Sequence, residues 1–227
     1  MLHDAFSLAS DVCRLWQRER LLHRRRARPA FLAPAPTLDT CAAASSIAVA
    51  HHPIRETAMP GPEAKLEIHQ FICRQDNFGV LIRDAVSGAV ASIDAPNGDE
   101  VSRELAAKGW KLTHILTTHR HGDHTDGNLQ LKQASGCTII GPAGEADKVP
   151  GIDKTVDDGD TFEFGTLEVR VLNTSGHTKG HISFWMPAAE VVFVGDTLFA
   201  MGCGRVMEGT PQHMWASLSK LAALPPS

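Results

Sequence analysis

The stretch THRHGDHTDGN (118–128) holds three histidines and two aspartates within eight residues, His119 to Asp126, in a chain with 12 histidines among 227 residues. Imidazole nitrogens and carboxylate oxygens bind zinc and its neighbours well. His119 and His121 are two apart, so in extended or looped backbone both side chains can face one point. On a helix they could not, which separates this pattern from the HExxH type of site. Asp123 and His124 are consecutive and turn to another side of the loop. The stretch thus offers two pairs of donors, which suits two metals better than one. Two more segments present a donor at the end of an apolar run: LEVRVLNTSGH brings His177, and EVVFVGD brings Asp196. A carboxylate can bridge two cations through its two oxygens. The candidate metal ligands are therefore His119, His121, Asp123, His124, His177 and Asp196. The histidines at 3, 23, 51, 52, 69 and 213 read as solvated surface residues, and His114 as packed within a strand.

Ligands at strand ends stand on a rigid base, and the pattern around them supplies the strands. LEIHQFIC, FGVLIRD and AVASIDAP read as short strands separated by turn residues. EVSRELAAKGW (100–110) reads as a helix stopped at Gly109. KLTHILTT (111–118) is an apolar, β-branched strand that delivers the histidine cluster. DGNLQLKQAS reads as the next helix and CTIIGP as the next strand. KTVDDGDTFEFGTLEVRVLNT alternates like hairpin strands, with DDGD and FGT as turns. HISFWMP and EVVFVGDTLF follow as strands, and TPQHMWASLSKLAAL starts a last helix with Thr210 as its cap and Pro211 in its first turn. Strands and helices mix, with hairpin strands dominating, which predicts an α/β sandwich rather than a simple alternating βαβ array.

Composition narrows the partners. A length of 227 residues suggests one or two domains, and a net charge of −4 gives no reason to expect nucleic acid or an anionic membrane. No apolar run approaches the ~18 residues that a membrane helix requires. The five cysteines are scattered and form no CxxC, so neither a zinc ribbon nor a disulfide framework is indicated, and a reducing cytoplasm is the default location. Charge is uneven. Residues 1–58 carry eight Arg, no Lys and five acids, and the remainder carries 14 basic and 21 acidic residues. The first segment reads as an Arg/Ala/Pro-rich extension without periodicity, and residues 59–227 as the folded unit, with Met59 a natural start. Three readings of residues 1–58 stand: a non-native extension, an organellar transit peptide, or a basic tail for a partner.

THRHGDH resembles the THxHxDH signature of the metallo-β-lactamase superfamily, and TSGHTKGH and VFVGDTLF resemble its next two motifs. GCGRVMEGTPQHMWASLSKLAALP looks like the segment that marks glyoxalase II, the hydroxyacylglutathione hydrolases; DNFGVLI and IDAP also fit that family. The resemblance covers roughly residues 66–227 and implies a four-layer αβ/βα sandwich with a binuclear metal site. By position, His119, His121 and His177 would hold the first metal, Asp123 and His124 the second, and Asp196 would bridge them. Zinc is the first expectation, with iron or manganese tolerated by the same donors. The implied reaction is hydrolysis of S-lactoylglutathione to D-lactate and glutathione: two cations acidify a bridging water, Asp123 orients the hydroxide, and a thiolate leaves. Arg205 lies where the family has a basic residue contacting glutathione. Met207 occupies a usually aromatic position. Cys203 reads as a small packed residue. His181 would pack behind the ligands, and Asp94 would either do the same or simply turn the chain at a strand end.

The family pattern continues past LAALPPS into a strand carrying one more ligand histidine, in a segment like GHEYT, and then into a helical domain that contacts glutathione. The expectation is accordingly a sandwich incomplete at its C-terminus, with the second metal held more weakly than the first and poor or no turnover. A small-molecule glutathione thioester is the expected partner, with no nucleic acid, no membrane and a monomer as the default. Two alternatives stand beside this one: a persulfide dioxygenase-like enzyme with one iron on His119, His177 and Asp196, or a non-catalytic, truncated relic.

Overall fold

The computed structural model describes residues 66–225. The extension at 1–58, its three readings and the boundary at Met59 lie outside the described residues.

Two sheets form the centre. In the first, β1 (Leu66–Cys73), β2 (Asn77–Asp84), β3 (Val90–Ile93), β4 (His114–Leu116), β5 (Thr138–Pro142) and β6 (Lys154–Val156) lie side by side in chain order. The pairs β1–β2 and β2–β3 are antiparallel, while β3 to β6 run parallel. The second sheet is an antiparallel meander of β7 (Thr161–Phe164), β8 (Leu167–Asn173), β9 (Ile182–Met186) and β10 (Val191–Phe193). A small ribbon, β11 (Leu198–Phe199) with β12 (Gly202–Cys203), follows.

The central strands are buried on both faces, and consecutive residues serve opposite layers. Leu81, Ile115 and Ile139 point to a helical layer, where they meet Val101, Leu105 and Leu131. Their neighbours Ile82, Leu116 and Ile140 point the other way and pack on Phe162, Phe164, Val169 and Phe184 of the second sheet. The helical layer consists of α1 (Gly98–Lys108) and α3 (Asn128–Ser135), with the single turn α2 (Gly122–Thr125) before α3. On the second-sheet side, α4 (Pro211–Ala222) is fastened at the end of β8: Ser217 Oγ donates to Ser175 O at 2.6 Å, and Lys220 Nζ to Asn173 O at 3.0 Å. Helix, sheet, sheet, helix is the four-layer αβ/βα sandwich that the resemblance implies, and a case of the α/β sandwich that the pattern predicts.

Three local details differ from the sequence reading. Asn97 caps α1 through the main-chain N–H groups of Asp99 and Glu100, so the helix starts at Gly98; it stops at left-handed Gly109, as read. The stretch at 154–173 is not one run of hairpins. Only β7 and β8 form a hairpin, while Lys154–Val156 joins the first sheet beside β5. The DDGD turn, closed by Asp160 N donating to Asp157 O at 3.0 Å, is the corner between sheets, and Val156 is buried in the core that both share. Finally, β4 ends at Leu116 rather than at Thr118. The Thr118 N–H leaves the ladder to donate to the Asp94 side chain at 2.7 Å, and there the chain turns into the histidine loop.

Candidate metal centre

Parallel strands gather functional side chains at their carboxyl ends. Here the segments after β3 and β4 bring Asp94 and residues 118–124, while those after β8 and β10 bring His177 and Asp196. All meet at one edge of the sandwich.

The imidazoles of His119, His121 and His177 form a first group, whose donor atoms all lie within 4.8 Å of one another. His119 Nε2 is 3.1 Å from His121 Nδ1, which is 2.9 Å from His177 Nε2. Those separations approach the ~3.3 Å edge of a tetrahedron with Zn–N bonds of about 2.0–2.1 Å. His119, His124 and Asp196 form a second group within the same limit. Asp196 joins the two: Oδ2 lies 3.2 Å from His177 Nε2, and Oδ1 lies 3.2 Å from His124 Nε2. Asp123 stands at the rim of the second group, with Oδ2 3.6 Å from His124 Nε2 and a side chain 47% exposed. The structure therefore brings all six candidate ligands to one place, five of them in the two tight groups and Asp123 at the edge.

Each buried ring has its second nitrogen tied down, which leaves the first one aimed inward. His177 Nδ1 donates to Arg205 O at 2.8 Å. His119 Nδ1 faces Thr118 Oγ1 at 3.0 Å, and that hydroxyl donates to Asp94 Oδ2 at 2.8 Å. The same oxygen takes His124 Nδ1 at 2.8 Å. Asp94 is thus far more than a strand-end turn: one carboxylate orients two rings and the start of their loop. It does so from a left-handed backbone, φ 56°, a conformation that costs a non-glycine residue roughly 1–2 kcal/mol. His181 acts likewise on Asp196, whose main-chain N–H donates to His181 Nε2 at 3.1 Å. Nδ1 of His181 therefore carries the hydrogen and faces Thr174 and Thr197 hydroxyls.

Burial, followed by the neighbouring imidazoles, pushes the His119 pKa far down, and burial takes that of His181 down to about 3, so both rings are neutral donors or acceptors. Burial and then His177 and Arg120 lower His121 as well. His124 is the reverse. Burial opposes its charge, but Asp94 and Asp196 outweigh burial and raise it to about 10. Burial would raise Asp196, and the hydrogen bond and charge of His124 overcome this and lower it. Neutral imidazoles on one side and carboxylates that hold a positive charge on the other are a donor set that fits divalent cations.

Two supports escaped the sequence reading. Glu145, 3% exposed, accepts the main-chain N–H of Arg120 at 2.9 Å and of Gly180 at 3.0 Å. It pins the His119–His121 loop to the His177–His181 loop. Arg120 also pairs through its side chain with Glu208 of the EGTP segment. Nothing in the run AGEADK marks Glu145 in advance; the Arg120–Glu208 pair was foreshadowed only by both residues lying in segments already singled out. Of the expected substrate contacts, Arg205 is exposed and its guanidinium makes no ion pair among the described residues. Met207 is exposed too. Cys203 lies in β12 and is exposed rather than packed, because the short ribbon leaves it at the surface.

An αβ/βα sandwich whose strand ends collect imidazoles and carboxylates in two groups is a scaffold that could hold metal ions at that edge. Residues 79–227 match the family described as the Metallo-beta-lactamase superfamily, and the chain belongs to it. Among curated proteins it is 55% identical over 162 residues to the hydroxyacylglutathione hydrolase of Rhizobium meliloti (strain 1021), covering 71% of this chain and 63% of that protein. It is 56% identical over 163 residues to the hydroxyacylglutathione hydrolase of Brucella ovis, covering 72% of this chain and 63% of that protein. The chain thus spans 63% of the length of these two curated relatives. Among solved structures, the crystal structure of ETHE1 from Myxococcus xanthus superposes with a TM-score of 0.62 at 30% identity, over 70% of this chain and 71% of that one.

Proposed function

We propose that this chain carries the metal centre of a glutathione-thioester hydrolase of the hydroxyacylglutathione hydrolase type. The observation that carries the reading is Asp196, which turns one oxygen to each of two donor groups. The 55–56% identity to the two relatives supports the substrate class. His119, His121 and His177 would hold one cation, Asp123 and His124 the other, and Asp196 both. Two divalent cations, zinc first with iron or manganese as alternatives, would supply Lewis acidity and a water ionised near neutral pH. Asp123, at the exposed rim, orients the attacking water. Asp94 and His181 keep His119, His124 and Asp196 from turning away. The exposed guanidinium of Arg205 is suited to a carboxylate of the glutathione moiety. The departing thiolate needs no strong acid, in keeping with a site whose buried histidines His119 and His181 are held neutral.

A persulfide dioxygenase needs only one cation, on His119, His177 and Asp196. It leaves the His124 group without a purpose, and is not favoured. A cytoplasmic location and a monomeric state are part of this proposal, the first supported by Cys73, Cys137 and Cys203 all being free; among the described residues no helix is long and apolar enough to cross a membrane. The test is thiol release from S-lactoylglutathione by the zinc-loaded chain. Turnover that is poor, that a chelator stops, that zinc restores and that Asp196→Ala abolishes is expected. Thiol release that persists in Asp196→Ala or under a chelator overturns the reading, and oxygen uptake with glutathione persulfide in a chain that releases no thiol would replace it.

A further inference from the structure

The turn between β1 and β2, which runs into the DNFGVLI segment, supplies no candidate metal ligand, yet it reaches the histidine loop. Arg74 stands in that turn with a left-handed backbone, φ 58°. Its main-chain N–H donates to Glu100 Oε2 at 2.6 Å, and its Nε donates to Pro96 O at 2.7 Å. Its outer nitrogen pairs with Asp126 and lies 3.5 Å from Gly122 O. Asn77, the first residue of β2, donates from Nδ2 to Asp123 O at 2.9 Å and lies 3.4 Å from Asp123 Oδ2. The turn therefore grips α2 at both of its ends, and α2 is the element that carries Asp123 and His124.

Asp123 differs from the other donors in how it is held. His119, His124 and His177 are buried, and each has its second nitrogen engaged. The Asp123 carboxylate is half exposed, and among the described residues its polar contacts are Asn77 and His124. The oxygen nearest Asn77 is Oδ2, which is also the one facing His124 Nε2 at 3.6 Å. A carboxylate oxygen has two lone pairs. An amide donor on one of them leaves the other directed at the second donor group and limits rotation of an otherwise free side chain.

We propose that Asn77 is a positioning residue for the second cation, fixing the backbone and carboxylate of Asp123 so that Oδ2 faces His124, while Arg74 secures the turn beneath. This rests on the binuclear reading above, though not on the thioesterase reaction. The test is an optical titration of the 227-residue chain with cobalt(II), carried to millimolar concentration, for wild type, Asn77→Ala, Asp123→Ala and the double variant. Wild type should show two uptake steps. Asn77→Ala should leave the midpoint of the tighter step in place and raise that of the weaker step at least about tenfold, within the 10–100-fold range for loss of a ligand's supporting partner. In the Asp123→Ala background, Asn77→Ala should shift the weakened second step less than it does in wild type, because part of its effect runs through that carboxylate and only the bond to the Asp123 main-chain oxygen remains. A weaker step that does not move, two steps that move together, additive effects in the double variant, or a single uptake step in wild type would each overturn the proposal. Two intact steps in a chain that takes up oxygen with glutathione persulfide and releases no thiol would sink the thioesterase reading and leave this one standing.

Discussion

Glu145 offers the sharpest test of how the centre is held. Its two oxygens accept one main-chain N–H from each of two ligand-bearing loops, Arg120 N at 2.9 Å and Gly180 N at 3.0 Å, with the residue only 3% exposed. The fit is close, since a Cβ on Gly180 would lie 2.5 Å from Glu145 Cγ. Glu145→Gln keeps the shape and one acceptor, but turns an NH2 group towards the second N–H. A hydrogen bond to a charged group contributes about 1.5–3 kcal/mol, and an orphaned buried donor costs about 1–3 kcal/mol. The carboxylate is itself desolvated, which offsets part of that gain. Glu145→Gln should thus cost about 2–3 kcal/mol. Glu145→Ala frees both donors and should cost about 3–5 kcal/mol, held at that level because water can enter the space. Either is a large share of the ~5–15 kcal/mol by which a domain is stable. Urea unfolding with an unchanged slope measures it. The same two loops carry His119, His121 and His177, so the tighter cobalt step should weaken about tenfold in Glu145→Gln. A Glu145→Gln chain within about 0.5 kcal/mol of wild type, the usual span for an unimportant surface change, would refute the pinning role. So would an alanine variant no worse than the glutamine one.

Other sites carry simpler expectations. Asp84 is buried at the corner between the sheets and accepts from Val86 N, from both nitrogen and hydroxyl of Ser87, and from both of Thr166. Burial would raise its pKa, but the donors of Ser87, Thr166 and Val86 outweigh burial and hold it below the usual carboxylate range. A folded-state pKa depressed in this way adds stability above the unfolded value of ~3.9 and loses it as pH falls below that. Asp84→Asn should therefore cost about 2–3 kcal/mol at pH 7, and the gap from wild type should narrow in urea titrations as pH falls below about 4. At Gly204, a Cβ would lie 1.7 Å from Asp196 O, so Gly204→Ala must displace Asp196 and, if that residue serves both donor groups as proposed, should strip cobalt from both steps. Gly136→Ala, left-handed but with nothing within 4 Å, should cost only about 1–2 kcal/mol of strain and leave metal uptake alone. Thr210 Oγ1 accepts from His213 N at 3.2 Å to cap α4; Thr210→Ala should lower stability by about 1 kcal/mol, read as a downward shift in thermal midpoint.

What is legible in the sequence divides along a physical line. A candidate ligand must be a particular kind of atom, so residue type and spacing expose it: His119, His121 and His177 can be named as candidates from the chain alone, and so can Asp196 at a strand end. A cap such as Thr210 or Gly109 is equally local, because it answers to the helix beside it. The supports are different. Asp94 and Thr118 meet across 24 positions only because β3 and β4 are neighbours in the sheet. Glu145 needs a third strand, β5, to carry it under both loops. Asn77 depends on the β1–β2 turn folding over α2. Each contributes an ordinary hydrogen-bonding atom at a place set by strand order, and neither periodicity nor composition encodes strand order. The crossing of Lys154–Val156 to the first sheet is hidden for the same reason, since an alternating strand looks alike whichever sheet receives it. The division also sets the form that the effects of substitution should take. Removing a ligand deletes a bond to the cation, whereas removing a support only widens the spread of ligand positions. Ligand variants should then weaken an uptake step more than loss of a support does, and Asn77 and Glu145 variants should keep both steps with more modestly shifted midpoints, each at the donor group its element serves.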